Sequence, residues 1–378
     1  MRFLHTGDLH LDSSFCSSNI LIANERREAQ RRTFGRIFEL AREEKCQMVL
    51  ISGDLFDSKY VTPETRRYVL EVFSSSDIPI VIAPGNHDPY IAGSFYKSAD
   101  IPENVYIFSS SELQCFDFPE LATRVFGYAF TSPSLTVSPL VGARSDKEGD
   151  EIRLLCAHAD LAAPISRYCP VTVGDISGLD IDYAALGHIH NRAVDDSAGG
   201  SVVRYCGFPE GRSFDETGDG GVFIVDCEVG GNVSYKRVSV SQQKYEIREI
   251  DISDRRERSE ITALIRDTVA EISEDKASHL RLLLQGCVDC DELPDIKELE
   301  RELTVGNVLS LEIRNMTVPV ADILSLSTDP TLRGEFYRAL YSGLVDEDPK
   351  VRERTALALQ IGLSAIEGRR IIGGKDGI

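Results

Sequence analysis

The sequence predicts an α/β fold built on a parallel sheet, and three observations predict it. The first 90 residues alternate short apolar runs with segments of helical period. Five clusters of metal-ligand residues each follow an apolar run. Near residue 243 the pattern changes to that of a smaller α+β module.

Phe3-Leu4-His5-Thr6 reads as a short strand. Residues 24–45 read as a helix capped by Asn24, with Phe34, Ile37, Phe38 and Ala41 on one stripe. Met48-Val49-Leu50-Ile51-Ser52 is a continuous apolar run, as expected of a strand covered on both faces. Thr62-Pro63 opens the next helix, because proline has no N–H to lose at the first helical position. Ile80-Val81-Ile82-Ala83 is the third strand, and this βαβαβ order implies parallel pairing. Further strands are expected at 124–130, 152–157, 183–187, 202–206 and 222–226, with Val222–Val238 forming a hairpin around Gly230-Gly231. Loops interrupt at 142–150, 195–200 and 215–221.

From residue 244, Tyr245–Ile252, a helix near 258–272, Leu280–Leu284, a helix near 293–303 and Val308–Ile313 make a β-α-β-α-β module. Two final helices open on Asp329-Pro330 and Asp348-Pro349, a capping carboxylate followed by proline. In the second of them Leu359, Leu363 and Ile366 share a face. The glycine-rich tail at 373–377 is expected to be disordered. The expected domains are 1–243, 244–320 and 321–378.

With 378 residues, 42% hydrophobic and 27% charged, the chain has the composition of a soluble protein. No apolar run is long enough to span a bilayer, and the N-terminus lacks the pattern of a secretory signal, so no membrane role and a cytoplasmic location are expected. Nine cysteines at irregular spacing do not form a disulfide framework. Cys287-Val288-Asp289-Cys290 is a single pair, and a zinc ribbon would need a second. The net charge of −20 opposes generic nucleic-acid binding. Residues 1–100 carry 12 Lys and Arg against 14 Asp and Glu, so the excess of acid lies in the remainder. DNA could then be met only through a local patch.

The ligand-rich clusters are Asp8-Leu9-His10, Gly53-Asp54-Leu55-Phe56-Asp57, Gly85-Asn86-His87-Asp88, His158, and Gly187-His188-Ile189-His190. They hold five of the seven histidines. In an open α/β sheet, ligands bind at the carboxyl ends of strands, where these clusters are expected to fall. Two Asp, one Asn and four His are too many for one tetrahedral zinc, but suit two metals sharing a carboxylate. Carboxylate, imidazole and amide donors without thiolate favour Mn²⁺ or Fe²⁺ over structural Zn²⁺. Glycines at 7, 53, 85 and 187 allow close backbone approach beside the ligands. The leading expectation is a hydrolase of phosphate esters. Two metals would clamp the attacking and leaving oxygens of an in-line displacement.

This order of motifs resembles the calcineurin-like metallophosphoesterase superfamily. Asp8-Leu9-His10-Leu11-Asp12-Ser13, the final Asp of Gly85-Asn86-His87-Asp88, and Asp182 through His190 look like SbcD-type DNA repair exonucleases. Tyr205 through Arg212, followed by Asp215-Glu216-Thr217-Gly218, is similar to the YhaO-type branch. The resemblance implies a β-sandwich flanked by helices, a small α+β capping domain over 244–320, and C-terminal helices. It implies a first metal held by Asp8, His10, Asp54 and His190. A second would be held by Asp54, Asn86, His158 and His188, with Asp54 bridging. His87 would contact the scissile phosphate and bind no metal. The implied activity is that of a manganese-dependent DNA exonuclease and endonuclease, degrading from 3′ ends beside an SbcC-like, SMC-like ATPase docked on the last helices. Relatives are often homodimers. Alternatives are a phosphodiesterase acting on small nucleotides and a non-catalytic scaffold for an ATPase.

Other residues carry weaker expectations. His5 reads as a satisfied core histidine and His279 as a surface one. Asp12 and Asp57 are close enough to orient ligand side chains, and Asp57 could equally cap a turn. Asp88 reads as structural. Arg26, Arg27, Arg31, Arg32 and Arg36 could line a phosphate track or, interleaved with Glu25, Glu28 and Glu39, form a solvated face. Arg192 and Arg212 are candidates for contact with the DNA backbone.

Overall fold

The computed structural model describes residues 1–15, 20–98, 100–144, 150–161, 165–190, 200–253, 255, 257–288, 292–319 and 326–366. Arg192, Asp289-Cys290 and the tail at 373–377 lie outside the described residues. The chain divides into two compact units, Met1–Tyr245 and Glu246–Ile378.

The first unit opens as β1 (Arg2–Thr6), α1 (Ile20–Glu43), β2 (Val49–Ile51), α2 (Pro63–Ser74), β3 (Ile80–Ile82), α3 (Phe95–Ser98) and β4 (Val105–Ile107). It continues with β5 (Gln114–Phe118), β6 (Thr123–Gly127), β7 (Ile152–His158), β8 (Asp160–Leu161), β9 (Pro170–Val171) and α4 (Val173–Ser177). It closes with β10 (Tyr183–Gly187), β11 (Val202–Tyr205), β12 (Gly218–Cys227) and the long β13 (Val233–Asp251), whose last residues belong to the second unit.

Strands β1 to β4 pair in parallel, and β12 joins β1 antiparallel, giving the order β13-β12-β1-β2-β3-β4. A second sheet runs β11-β10-β7-β6-β5. Side chains alternate across a strand, so each sheet presents two apolar faces. Leu4, Val49, Ile51, Ile80 and Ile82 pack against Phe34, Ile37 and Phe38 of α1 and Val69 and Phe73 of α2. Phe3, Leu50 and Val81 face the other way and meet Val125, Leu154, Cys156, Tyr183 and Ala185 of the second sheet. The outer face of that sheet, with Leu155, Ala157, Ala184 and Leu186, is covered by Tyr128, Phe130, Leu140 and Ile176. The architecture is therefore a β-sandwich flanked by helices.

In the second unit follow α5 (Arg258–Ile272), β14 (Ala277–Gln285), β15 (Cys287–Val288), α6 (Ile296–Leu303), β16 (Val308–Asn315), β17 (Val318–Pro319), α7 (Leu332–Leu344) and α8 (Pro349–Ile366). Strands β14 and β16 are parallel, and Ile261, Ile265 and Val269 of α5 pack with Leu280, Leu282 and Leu284. Leu326 and Tyr337 pack with Leu359 and Leu363, whereas Ile366 is exposed.

Several local expectations are corrected. Helix α1 begins at Ile20, so Asn24 lies inside it and accepts from Arg27 Nη1 at 2.9 Å instead of capping. Helix α7 begins at Leu332 with Thr331 in the cap position, and the Asp329 carboxylate accepts from the Thr331 N–H at 2.7 Å. At α8 the expected Asp-Pro start holds, with Asp348 accepting from the Lys350 N–H at 2.9 Å. His279 is buried on β14, 2.8 Å from Ser310 Oγ across the β14–β16 pair, and is not at the surface.

His5 is fully buried between the sheets, with Nδ1 2.9 Å from Tyr183 Oη and Nε2 3.1 Å from Ser52 Oγ. Burial holds its pKa down to about 3. The native state therefore refuses a proton that the unfolded chain accepts below about 6.5. Stability contributed by neutral His5 is intact above that value and is lost as pH falls toward 3, at roughly 1 kcal/mol per pH unit. His5→Gln removes this titration. In metal-free protein, its stability deficit relative to wild type is expected to shrink between pH 6.5 and 4 in urea unfolding. A deficit independent of pH would refute the assignment.

Candidate metal centre

The site stands at the carboxyl ends of β1, β2, β3, β7 and β10. Register aligns Thr6 with Ile51, Ile51 with Ile82, and Gly187 with His158, so the segments that follow emerge side by side. The backbone turns sharply there. Asp8, His10, Asp54 and His188 have φ of 50°, 47°, 46° and 109°. Such conformations cost a non-glycine residue roughly 1–2 kcal/mol and persist only where the surroundings enforce them. The Asp8 N–H bonds the Gly53 carbonyl at 3.0 Å, and the His10 N–H bonds that of Asp54 at 2.9 Å. Gly85 is required for space, since a Cβ there would strike the Asp54 carboxylate. Gly53, at φ 99°, lies under His158 and leaves no room for a side chain.

Asp8, His10, Asp54 and His158 are almost wholly buried. Three sets of donor atoms each lie within 4.8 Å of one another: Asp8, His10 and His190; His10, Asp54 and His87; Asp8, Asp54 and His158. Three imidazoles have Nδ1 beside an oxygen acceptor. That of His158 is 3.1 Å from the Ser52 carbonyl, that of His87 is 3.0 Å from the Asp57 carbonyl, and that of His190 is 2.8 Å from Glu216 Oε1. A carbonyl or carboxylate can only accept, so Nδ1 carries the proton and Nε2 presents a lone pair.

The Nε2 of His10 and that of His190 are 3.2 Å apart. His158 Nε2 is 3.4 Å from Asp54 Oδ2 and 2.9 Å from Asn86 Oδ1. Lone pairs and carboxylates converging without enough protons repel one another, and a cation relieves that repulsion. The donor set thus fits divalent metal. His188 belongs to none of the three sets. Its N–H donates to both oxygens of Asp8 at 3.1 and 3.0 Å, and its ring lies 5.2 Å from that of His158 and 4.9 Å from that of Tyr168.

Charge in the site follows from these contacts. Burial opposes ionisation of Asp54, but His158, His10 and His87 outweigh it and hold its pKa at about 2. Burial and then the neighbouring His158 push His188 down to about 4. Asp88 goes the other way, up to about 6, because of burial and the charge of Asp54. Its carboxylate accepts from the Gly85 N–H, the Phe56 N–H and the Tyr96 hydroxyl, at 2.8, 3.0 and 2.6 Å. It ties the β2 and β3 loops together.

A sequence model of calcineurin-like phosphoesterases matches residues 1–192. The chain belongs to this family. It is 28% identical over 299 residues to the uncharacterized metallophosphoesterase YhaO of Bacillus subtilis (strain 168), a match covering 76% of this chain and 72% of that one. It is 25% identical over 342 residues to the DNA double-strand break repair protein Mre11 of Methanopyrus kandleri, covering 81% and 73%. It is 24% identical over 262 residues to the SbcD component of the SbcCD nuclease of Staphylococcus epidermidis, covering 60% and 66%.

Around this calcineurin-like centre, some polar residues take places their sequence context does not disclose. Asp12 does not reach a ligand side chain. Its carboxylate accepts from the Thr62 N–H at 2.7 Å and the Thr65 hydroxyl at 2.7 Å, and so anchors the start of α2. Asp57 Oδ1 lies 3.3 Å from His10 Nδ1 and 3.5 Å from Arg212 Nη1. Arg212 lies beside the site and turns to Glu216. Its N–H and guanidinium are engaged by Glu216, at 2.8 and 2.6 Å. On the α1 face, Arg31 pairs with Glu28 and Arg36 with Glu43, as in a solvated charged surface. Glu216 is a partner of the site that the sequence alone does not single out. Its only signal is its place in the Asp215-Glu216-Thr217-Gly218 stretch, 26 residues after His190.

Proposed function

We propose that this calcineurin-like protein is a two-metal phosphodiesterase acting on DNA. The observation that carries the metal reading is the convergence of imidazole Nε2 atoms and buried carboxylates at strained strand ends. Asp8, His10, Asp54 and His190 would hold one ion. Asp54, Asn86, His158 and His188 would hold the other, with manganese as the metal. When bound, such a pair withdraws charge from the phosphodiester and acidifies a nucleophilic water. His87 has Nδ1 committed to the Asp57 carbonyl, leaving Nε2 as the nitrogen that, once it has taken up a second proton, would pass it to the departing oxygen. Asp8 and Asp54 are almost wholly buried, so the ions would sit in a fixed cradle.

DNA as substrate is supported by the names of the Mre11 and SbcCD relatives. A 3′–5′ exonuclease with endonuclease activity, working in the cytoplasm with an SbcC-like ATPase on the last two helices and forming a homodimer, is the finer form of this proposal. The net charge of −20 favours a second reading, hydrolysis of small nucleotide diesters. Incubation with Mn²⁺ and end-labelled linear DNA, in parallel with bis-p-nitrophenyl phosphate and cyclic nucleotides, separates the two. The proposal expects shortening of DNA that fades steeply with added salt, because phosphate contacts release counterions. Turnover of the small diesters alone would replace it with the second reading.

A further inference from the structure

We infer that Glu216 is a positioning residue for His190, locked in place by Arg212, and that Arg212 extends the same arrangement to Asp57 beside His10. The inference rests on the metal reading above and concerns residues outside its ligand set.

Glu216 is buried, with 4% of its surface exposed. Its Oε1 lies 2.8 Å from His190 Nδ1 and 2.6 Å from Arg212 Nη2, while its Oε2 accepts the Arg212 N–H at 2.8 Å. Both oxygens are therefore anchored, and the carboxylate cannot rotate away from the imidazole. The other Arg212 terminus lies 3.5 Å from Asp57 Oδ1, which stands 3.3 Å from His10 Nδ1. Two carboxylates thus back two imidazoles whose Nε2 atoms meet 3.2 Å apart, and one guanidinium joins the carboxylates.

A carboxylate behind a histidine fixes which nitrogen holds the proton and how the ring is aimed. Here the arrangement does more than orient. Arg212 Nη2 lies 3.0 Å from His190 Nδ1. A guanidinium can only donate, so without Glu216 it would drive the proton off Nδ1 and onto Nε2. Nε2 is the nitrogen that faces His10, and a proton there would occupy the lone pair a metal needs. Removing Glu216 while Arg212 stays should therefore invert the tautomer of His190 as well as loosen its ring.

The test uses the full chain. Manganese binding is titrated by calorimetry for wild type, Glu216→Ala and Glu216→Gln, and long-range ¹⁵N–¹H spectra of the histidines are recorded after chelator treatment. His190→Gln assigns the resonance. Glu216→Ala is expected to weaken one of two manganese sites by roughly 10–100-fold and leave the other unchanged. In the metal-free protein the His190 proton should move from Nδ1 to Nε2. Glu216→Gln, whose amide oxygen still accepts from Nδ1 although its NH2 gives up the bond from the Arg212 N–H, should retain the tautomer and more of the affinity than Glu216→Ala. It also answers for the fold if the alanine variant is unstable. Wild-type affinity with an unchanged tautomer in Glu216→Ala would overturn the inference, as would equal losses in the alanine and glutamine variants. Absence of any manganese binding by wild type would instead defeat the metal reading, and the tautomer spectra would still decide the role of Glu216.

Discussion

Asp54→Asn is expected to reduce bound manganese from two ions per chain to fewer than one and to abolish phosphodiester cleavage. Asp54 stands in two of the three donor sets, with Oδ2 3.6 Å from His10 Nε2 and 3.4 Å from His158 Nε2. Its other oxygen accepts the His87 N–H at 3.0 Å. An amide keeps that last hydrogen bond but loses the charge and one acceptor. The loop after β3 should stay in place while the affinity for cations collapses. Thermal unfolding separates these effects. A ligand at 100 times its Kd stabilises by about 3 kcal/mol, or roughly 6–12 °C for a unit of this size. Wild type should gain that shift on adding manganese, and Asp54→Asn should gain little while unfolding near the wild-type temperature in chelator. Metal content by mass spectrometry is the second readout. A variant that retained two ions would remove Asp54 from the bridging position and leave the site without its common carboxylate.

What the sequence discloses follows from how each element is stabilised. Val49–Ile51, Ile80–Ile82, Ile152–His158 and Tyr183–Gly187 are buried on both faces, so they are written as apolar runs, broken only by Arg153, with a candidate ligand at or soon after the end. Gln114–Phe118 is an edge strand and Val105–Ile107 is three half-buried residues, and neither carries such a mark. The sequence pattern breaks strand β13 into two pieces, whereas the fold runs it as one. Ser241 through Lys244 are polar, yet Ser241 and Gln243 are buried. The Gly220 N–H donates to Ser241 Oγ, and Glu210 accepts the N–H groups of Gln242 and Gln243. Polar residues satisfied by distant partners carry no periodic signal. The same holds for Glu216. In a chain with 61 acidic residues, nothing local distinguishes the carboxylate that meets His190 Nδ1. Candidate ligands are legible because they sit beside glycines at strand ends. Their supports are not, because only folding brings them close.

His87→Ala is expected to lower cleavage of DNA by roughly 10²–10⁴-fold while both manganese ions stay bound. The side chain is exposed, with Nδ1 bonded to the Asp57 carbonyl at 3.0 Å and its ring 4.8 Å from that of His10. The contact that matters for Asp54 comes from the His87 backbone N–H, and alanine preserves it. The loss should therefore depend on the leaving group. A 3′ oxygen leaves as a poor alkoxide and needs a proton, whereas p-nitrophenolate leaves readily without one. Bis-p-nitrophenyl phosphate should then be hydrolysed by the variant at a rate within about tenfold of wild type, while DNA is cleaved far more slowly. An equal fall on both substrates, with metal retained, would mean that His87 binds the phosphate rather than protonating the leaving oxygen. A fall in metal content would make His87 a ligand, as its place in a donor set with His10 and Asp54 permits. Full activity on DNA would remove it from the chemistry. Because these outcomes differ in metal content and in leaving-group sensitivity, one variant measured on two substrates assigns the only exposed histidine of the cluster.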